Sequence, residues 1–175
     1  MAFKVTDPRI GVPGITSITS VASAGLINST AIPVGTIVRA DDPTYGGGEF
    51  VYLCGVGSLT IGNLVTYNQL TGLTTLAPNT ANLAQPVAVS MAANTSTTAL
   101  SWFQIAGEAV IKKTAIKINP NVPIYLSATA GRVMSTAASG KQILGARTNN
   151  AATVASATST ISVLINRPHA QGATA

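Results

Sequence analysis

From Gly46 onward the apolar residues fall in short β-branched and aromatic runs, each closed by Gly, Asn, Pro or a Thr/Ser cluster. The runs are GEFVYLCGV (Gly48–Val56), NLVTYN (Asn63–Asn68), LTTLA (Leu73–Ala77), PVAVSMA (Pro86–Ala92) and SWFQIAGEAVI (Ser101–Ile111). AIKIN, PIYLS, RVMS, QILGA and TISVLIN follow, the last ending at Asn166. Runs of this length, with turn residues between them, predict strands of an antiparallel sheet. In the longest run Phe103, Ile105, Gly107, Ala109 and Ile111 share one side of a period-2 pattern, as one face of a strand requires. No window sustains a 3.6-residue apolar period, so little helix is expected.

Residues 1–45 have a different texture. Pro8, Pro13, Pro33 and Pro43 punctuate them, and the stretch Ser17 to Ala31 shows neither a helical stripe nor sustained alternation. This predicts an extended N-terminal arm that orders by lying on its own domain or on a neighbouring subunit. A β-domain over 46–168 follows, and a polar tail over 169–175 is expected to leave the last strand at Pro168. Two stretches of low complexity, Ala92 to Ala99 and Ala151 to Thr160, read as exposed loops.

The strands also repeat. One unit runs from Phe50 through LVTYNQLTGLTT to QPVAVSM, and a second from Phe103 through PIYLSATAGRVMS to KQILGAR. Each begins on an aromatic-led strand that reaches a Gly (Gly55, Gly107). A strand carrying a Tyr follows (Tyr67, Tyr125), then a Gly turn (Gly72, Gly131) and a short apolar strand. The fold class predicted is therefore all-β: a small antiparallel barrel or sandwich built from two similar β-units, with an extended N-terminal arm.

Charge adds an asymmetry. Charged residues make up only 9% of the 175-residue chain, which suggests a surface partly covered by partner chains. Residues 1–108 lean acidic, whereas 109–175 carry Lys112, Lys113, Lys117, Arg132, Lys141, Arg147 and Arg167 and no acid. That half should attract a negative partner. The basic residues are dispersed and not interleaved with aromatics for base stacking, so an acidic protein surface is preferred to nucleic acid. No stretch reaches the ~18 apolar residues that would span a bilayer, and the N-terminus lacks the apolar core of a signal peptide. The product is expected to stay in the compartment that makes it, and the single cysteine, Cys54, excludes an intrachain disulfide framework.

A search for reactive groups supports no enzyme, cofactor or metal. The one histidine, His169, falls in the expected tail, and Cys54 sits inside a Val/Tyr/Leu strand as a small buried hydrophobe. Asp41 and Asp42, just before Pro43, read as a turn that bonds nearby backbone N–H groups; a cation site with Glu49 would need more oxygen ligands. Gly46-Gly47-Gly48 lacks the Lys-Ser/Thr and the helix of a phosphate loop. Trp102 sits in an apolar strand and reads as core.

Taken together, GTIVRADDPTYGGGEFVYLCGV, LVTY, QPVAVSMAA, SWFQIAGEAVIKK and ISVLINRP resemble the small β-barrel head decoration (cement) proteins of tailed bacteriophages. The resemblance covers about residues 35–168 and is strongest at Gly46–Val56 and Trp102–Val110. It implies a non-catalytic virion protein on the outside of an icosahedral capsid, made in the host cytoplasm. Its partners would be the major capsid protein and its own copies, a homotrimer rather than a homodimer, with no nucleic acid and no membrane. In the arm, Phe3, Lys4 and Arg9 are the expected contacts to shell or neighbouring subunits, so removing residues 1–14 should weaken shell binding and leave the barrel folded. Lys112, Lys113 and Lys117 form a second candidate group. The rival readings are a phage tail or fibre-base protein and a carbohydrate-binding β-domain.

Overall fold

A computed structural model describes residues 3–6, 12–20 and 32–173. Twelve strands and no helix are found among them: β1 (Lys4–Val5), β2 (Thr19–Ser20), β3 (Ile37–Asp42), β4 (Gly46–Cys54), β5 (Leu64–Tyr67), β6 (Thr74–Leu76), β7 (Val87–Ser90), β8 (Ala99–Lys112), β9 (Pro123–Leu126), β10 (Val133–Met134), β11 (Gln142–Thr148) and β12 (Thr160–Ala170). All belong to one antiparallel sheet whose main path runs β1-β3-β4-β8-β12-β11-β9-β10; β7, β5 and β6 branch from β8, as does β2. The sheet does not close on itself. Of the two all-β arrangements expected, the sandwich-like one fits and the closed barrel does not.

The longest strand organises the fold. The first half of β8 pairs with β4 (Phe50↔Gln104 to Cys54↔Leu100) and its second half with β12 (Thr160↔Lys112 to Asn166↔Ala106). The handover occurs at a β-bulge: Glu49 pairs with Ala106 but Phe50 with Gln104, leaving Ile105 as the extra residue. Gln104 stabilises the bulge, its Nε2 donating to the carbonyls of Ala106 (3.1 Å) and Glu108 (3.0 Å). Gly107 follows with φ +96°, and a Cβ there would lie 2.4 Å from the Gly47 carbonyl oxygen, so only glycine fits.

The two β-units of the sequence repeat are present as topology. β5 pairs with both β6 and β7, and β9 with both β10 and β11, so each unit carries a three-stranded leaf with its Tyr strand in the middle. Each leaf then hands its last strand to the next long strand, β7 to β8 and β11 to β12.

Alternation on β4 and β8 makes two apolar layers. On one face Phe50, Tyr52, Cys54, Leu100 and Trp102 pack with Val38, Phe3, Ile15 and Ile32. On the other, Val51, Leu53, Phe103 and Ile105 meet Leu59, Val65 and Ala88. A third cluster joins Leu64, Val87 and Val89 of the first leaf to Ala109, Ile111, Ile124, Ile143, Ile161 and Val163. Burial on both faces is why VYLC reads as a continuous apolar run rather than an alternating one.

Two boundaries differ from expectation. The expected arm over 1–45 contains β3, which pairs with β4 from Ile37↔Val51 to Asp42↔Gly46, while β1 extends the same sheet at Lys4↔Asp41. The signal was weak because IVRADD alternates on a strand that ends in acids. At the other end, β12 does not stop at Pro168. A bulge built from Gly145 (φ +74°) and Arg167 (φ +44°) shifts the register, and Ala170 and His169 go on to pair with Ile143 and Leu144. A proline can be accommodated there because its missing N–H falls at the irregularity.

Candidate interaction surface

The N-terminal candidates divide. Phe3 is buried, its ring edge-on to Phe50 with centroids 4.9 Å apart. Its apolar area is therefore used within the chain. Lys4 is exposed on β1, and Arg9 lies outside the described residues. Close by, the Trp102 indole N–H donates to the Pro13 carbonyl (3.1 Å), and Trp102 itself is fully buried, as the core reading required. Removing residues 1–14 would strip Phe3 from the first apolar layer and the acceptor from Trp102, so the deletion would not leave the body untouched.

The three lysines do not form one patch. Lys112 is half-buried and its ammonium donates to Thr60 Oγ1. Lys113 is only 1% exposed; its ammonium is turned inward onto the carbonyls of Ile116 (2.8 Å), Thr114 (3.2 Å) and Ser156 (3.5 Å). Burial pushes its pKa below the usual lysine value, while the carbonyl cage offers the charged form hydrogen bonds. Lys117 alone of the three is exposed. Neighbours in a strand point to opposite faces, which separates Lys112 from Lys113.

The acids and the sulfur follow the plain reading of the sequence. Asp42 Oδ1 accepts from the N–H groups of Thr44 (2.8 Å) and Tyr45 (3.1 Å), an Asx turn that joins β3 to β4. No group of three or more metal-ligating side chains occurs among the described residues. Cys54 is buried and its thiol pKa is raised by burial. His169 is exposed, but on β12 rather than in a tail.

Where β4, β8 and β12 meet, Glu49 stands between two guanidinium groups, Arg167 at 2.9 Å and Arg39 at 3.4 Å. These side chains, with Asp41 and the backbone of Gly47, Gly48 and Gly107, line an open groove of about 400 Å³. Both arginines are largely solvent-exposed, so the ladder orients side chains more than it stabilises the fold.

The middle of the chain is devoid of charge. Between Glu49 and Glu108 lie 58 residues without one Lys, Arg, Asp, Glu or His. This stretch contains the whole β5-β6-β7 leaf. At the tip of its hairpin, Asn68 Oδ1 accepts from the N–H groups of Leu70 (2.9 Å) and Thr71 (3.1 Å), and Gly72 N–H donates to the Asn68 carbonyl (2.8 Å). This locked turn holds Leu70 out at 93% exposure and Leu73 at 56%. Beside the tip, Thr66, Tyr67, Asn68, Thr75, Gln85 and Pro86 line a shallow groove of about 580 Å³. The signal was available as a missing residue class rather than a motif. By contrast the second unit carries its basic residues outward at Lys117 and Arg147, with Arg132 and Lys141 half-buried.

Comparison with protein-family models and with curated proteins finds no match to this chain.

Proposed function

We propose that the chain is a structural virion protein that binds the outer surface of a bacteriophage capsid and bridges neighbouring major capsid subunits. The observation that carries this reading is the division of a single all-β body into an uncharged unit and a basic one. Residues 109–175 hold seven Lys and Arg and no acid, with Lys117 and Arg147 exposed. Such a unit suits docking onto an acidic protein shell, where charge sets orientation and encounter rate more than final affinity. The two-unit sheet, with apolar layers on both sides of β4 and β8, supplies a stiff body for the bridge. The resemblance of the strand texture to head decoration proteins points the same way.

Co-sedimentation with purified expanded phage shells tests it. The protein is expected to pellet with shells at micromolar concentration, and Lys117→Glu with Arg147→Glu should weaken binding about tenfold, as should raising salt well above 0.15 M. Shells that bind none of the protein, or binding indifferent to both changes, would overturn the reading. Copy number per particle separates it from the tail or fibre-base alternative, since a decoration role requires hundreds of copies. The carbohydrate-binding alternative is less favoured, because the one indole available for sugar stacking is Trp102, which is fully buried.

A further inference from the structure

We infer that the uncharged tip and edge of the β5-β6-β7 leaf are where copies of this chain associate, with Leu70 and Leu73 at the hairpin tip as the apolar anchors. The inference deepens the structural reading above, since a shell-binding protein gains most when its copies are joined and several sites engage together.

The first support is the surface itself. An ordinary domain surface interleaves Lys, Arg, Asp and Glu, which keep molecules apart in solution. Here 58 consecutive residues carry none; the leaf's two faces are packed into the core, through Leu64, Val87 and Val89 on one side and Val65 and Ala88 on the other, and what it exposes, the hairpin tip and residues 79–82 and 84–86, is uncharged. The tip is not a loose loop: the Asn68 cap and the Gly72 turn hold its backbone in place. A leucine at 93% exposure on a locked turn has its backbone ordering cost already met before any partner arrives.

Charge selects the occupant. The chain carries a net +5, concentrated in residues 109–175, so two copies repel through their second units. At the exposed tip and edge of the first leaf a second copy meets no like charge and buries no unpaired one. An acidic partner would find nothing there to pair with, and the carboxylates it buried would stay uncompensated. The amides and hydroxyls beside the tip, at Asn68, Thr75 and Gln85, can hydrogen-bond to their own counterparts on another copy, as an interface between identical chains requires.

The test uses the full chain in sedimentation velocity and light scattering across 0.5–50 µM, ranges chosen on the order of typical specific affinities. The wild type is expected to be oligomeric. Leu70→Lys with Leu73→Lys, and separately Leu70→Asp with Leu73→Asp, should each weaken association about a hundredfold or more while circular dichroism and melting temperature stay unchanged. Ile61→Lys and Leu164→Lys, at other exposed apolar positions, should assemble like the wild type. A monomeric wild type overturns the inference. So does a tip variant that assembles normally, or a loss seen with Lys and not with Asp, which would reflect net charge rather than burial at the tip. Shell co-sedimentation of the monomeric tip variants distinguishes the two proposals: retained weak binding leaves the shell reading standing whatever happens to self-association.

Discussion

A single methyl group added at position 107 would collide with the backbone of the neighbouring strand, because Gly107 lies where β4 and β12 meet β8. Gly107→Ala combines that contact with a left-handed φ, and it is expected to cost about 2–4 kcal/mol, measured as a shift in urea midpoint. Lys113 is the residue-scale counterpart among polar groups. Its ammonium satisfies carbonyls on two segments, 114–116 and 156, and so ties the end of β8 to the loop before β12. Lys113→Ala should destabilise by about 2–4 kcal/mol, because the carbonyls lose their donor as well as the packing of the alkyl stem. Lys117→Ala should stay within about 0.5 kcal/mol, as exposed substitutions do. Lysines of one sequence group thus separate into a structural residue and a surface one, because Lys113 turns inward at the end of β8 whereas Lys117 lies beyond the strand in an exposed loop.

At the scale of elements, the segments before β3 act as a cover for the face of β4 and β8 that bears Phe50, Tyr52 and Trp102. Phe3→Ala should cost about 2–4 kcal/mol by emptying the space against Phe50, in the range of buried Phe truncations. Because Trp102 is the one tryptophan, its fluorescence reports directly on this cover, and loss of the Pro13 contact should shift its emission to the red. Much of this layer was legible in the sequence. VYLC and SWFQIAGEAVI announced central strands, the Phe50 and Phe103 units announced a doubled topology, and the Asp42 turn followed from Asp before Pro. What was not legible depends on partners distant in sequence. β3 is recognisable only once β4 lies beside it, and β1 and β2 are too short to carry a period. The run past Pro168 needs Gly145 on a different strand to make the bulge. The fully exposed Leu70 reads in sequence like any other apolar residue of a strand pair; it is the Asn68 cap that turns it outward.

For the molecule as a whole, the buried ionisable groups set the response to alkali. Cys54, Tyr52 and Tyr67 all have raised pKa values, in each case chiefly through burial; a hydrogen bond from Thr19 offsets part of this for Tyr52, and the charge of Arg167 part of it for Tyr67. The unfolded chain therefore releases these protons at lower pH than the native state does, and native stability falls as pH rises through and above the ordinary thiol and phenol range, from about pH 9 upward. Lys113 acts in the opposite sense. Its pKa is lowered in the fold, so its penalty is relieved as pH approaches the ordinary lysine value. With three groups against one, melting temperature is expected to decline between about pH 9 and 11. Absorbance at 295 nm should show Tyr52 and Tyr67 ionising later than free phenol. A flat melting curve over that interval would contradict the burial described.

The handing of each leaf's last strand to the next long strand makes neither module self-sufficient. A polypeptide holding one such module would end at β7 with no β8 to receive it, and would complete its sheet only by taking the leading strand of a sister molecule. Joining two modules in tandem makes that exchange internal, with β8 receiving β7 and β12 receiving β11.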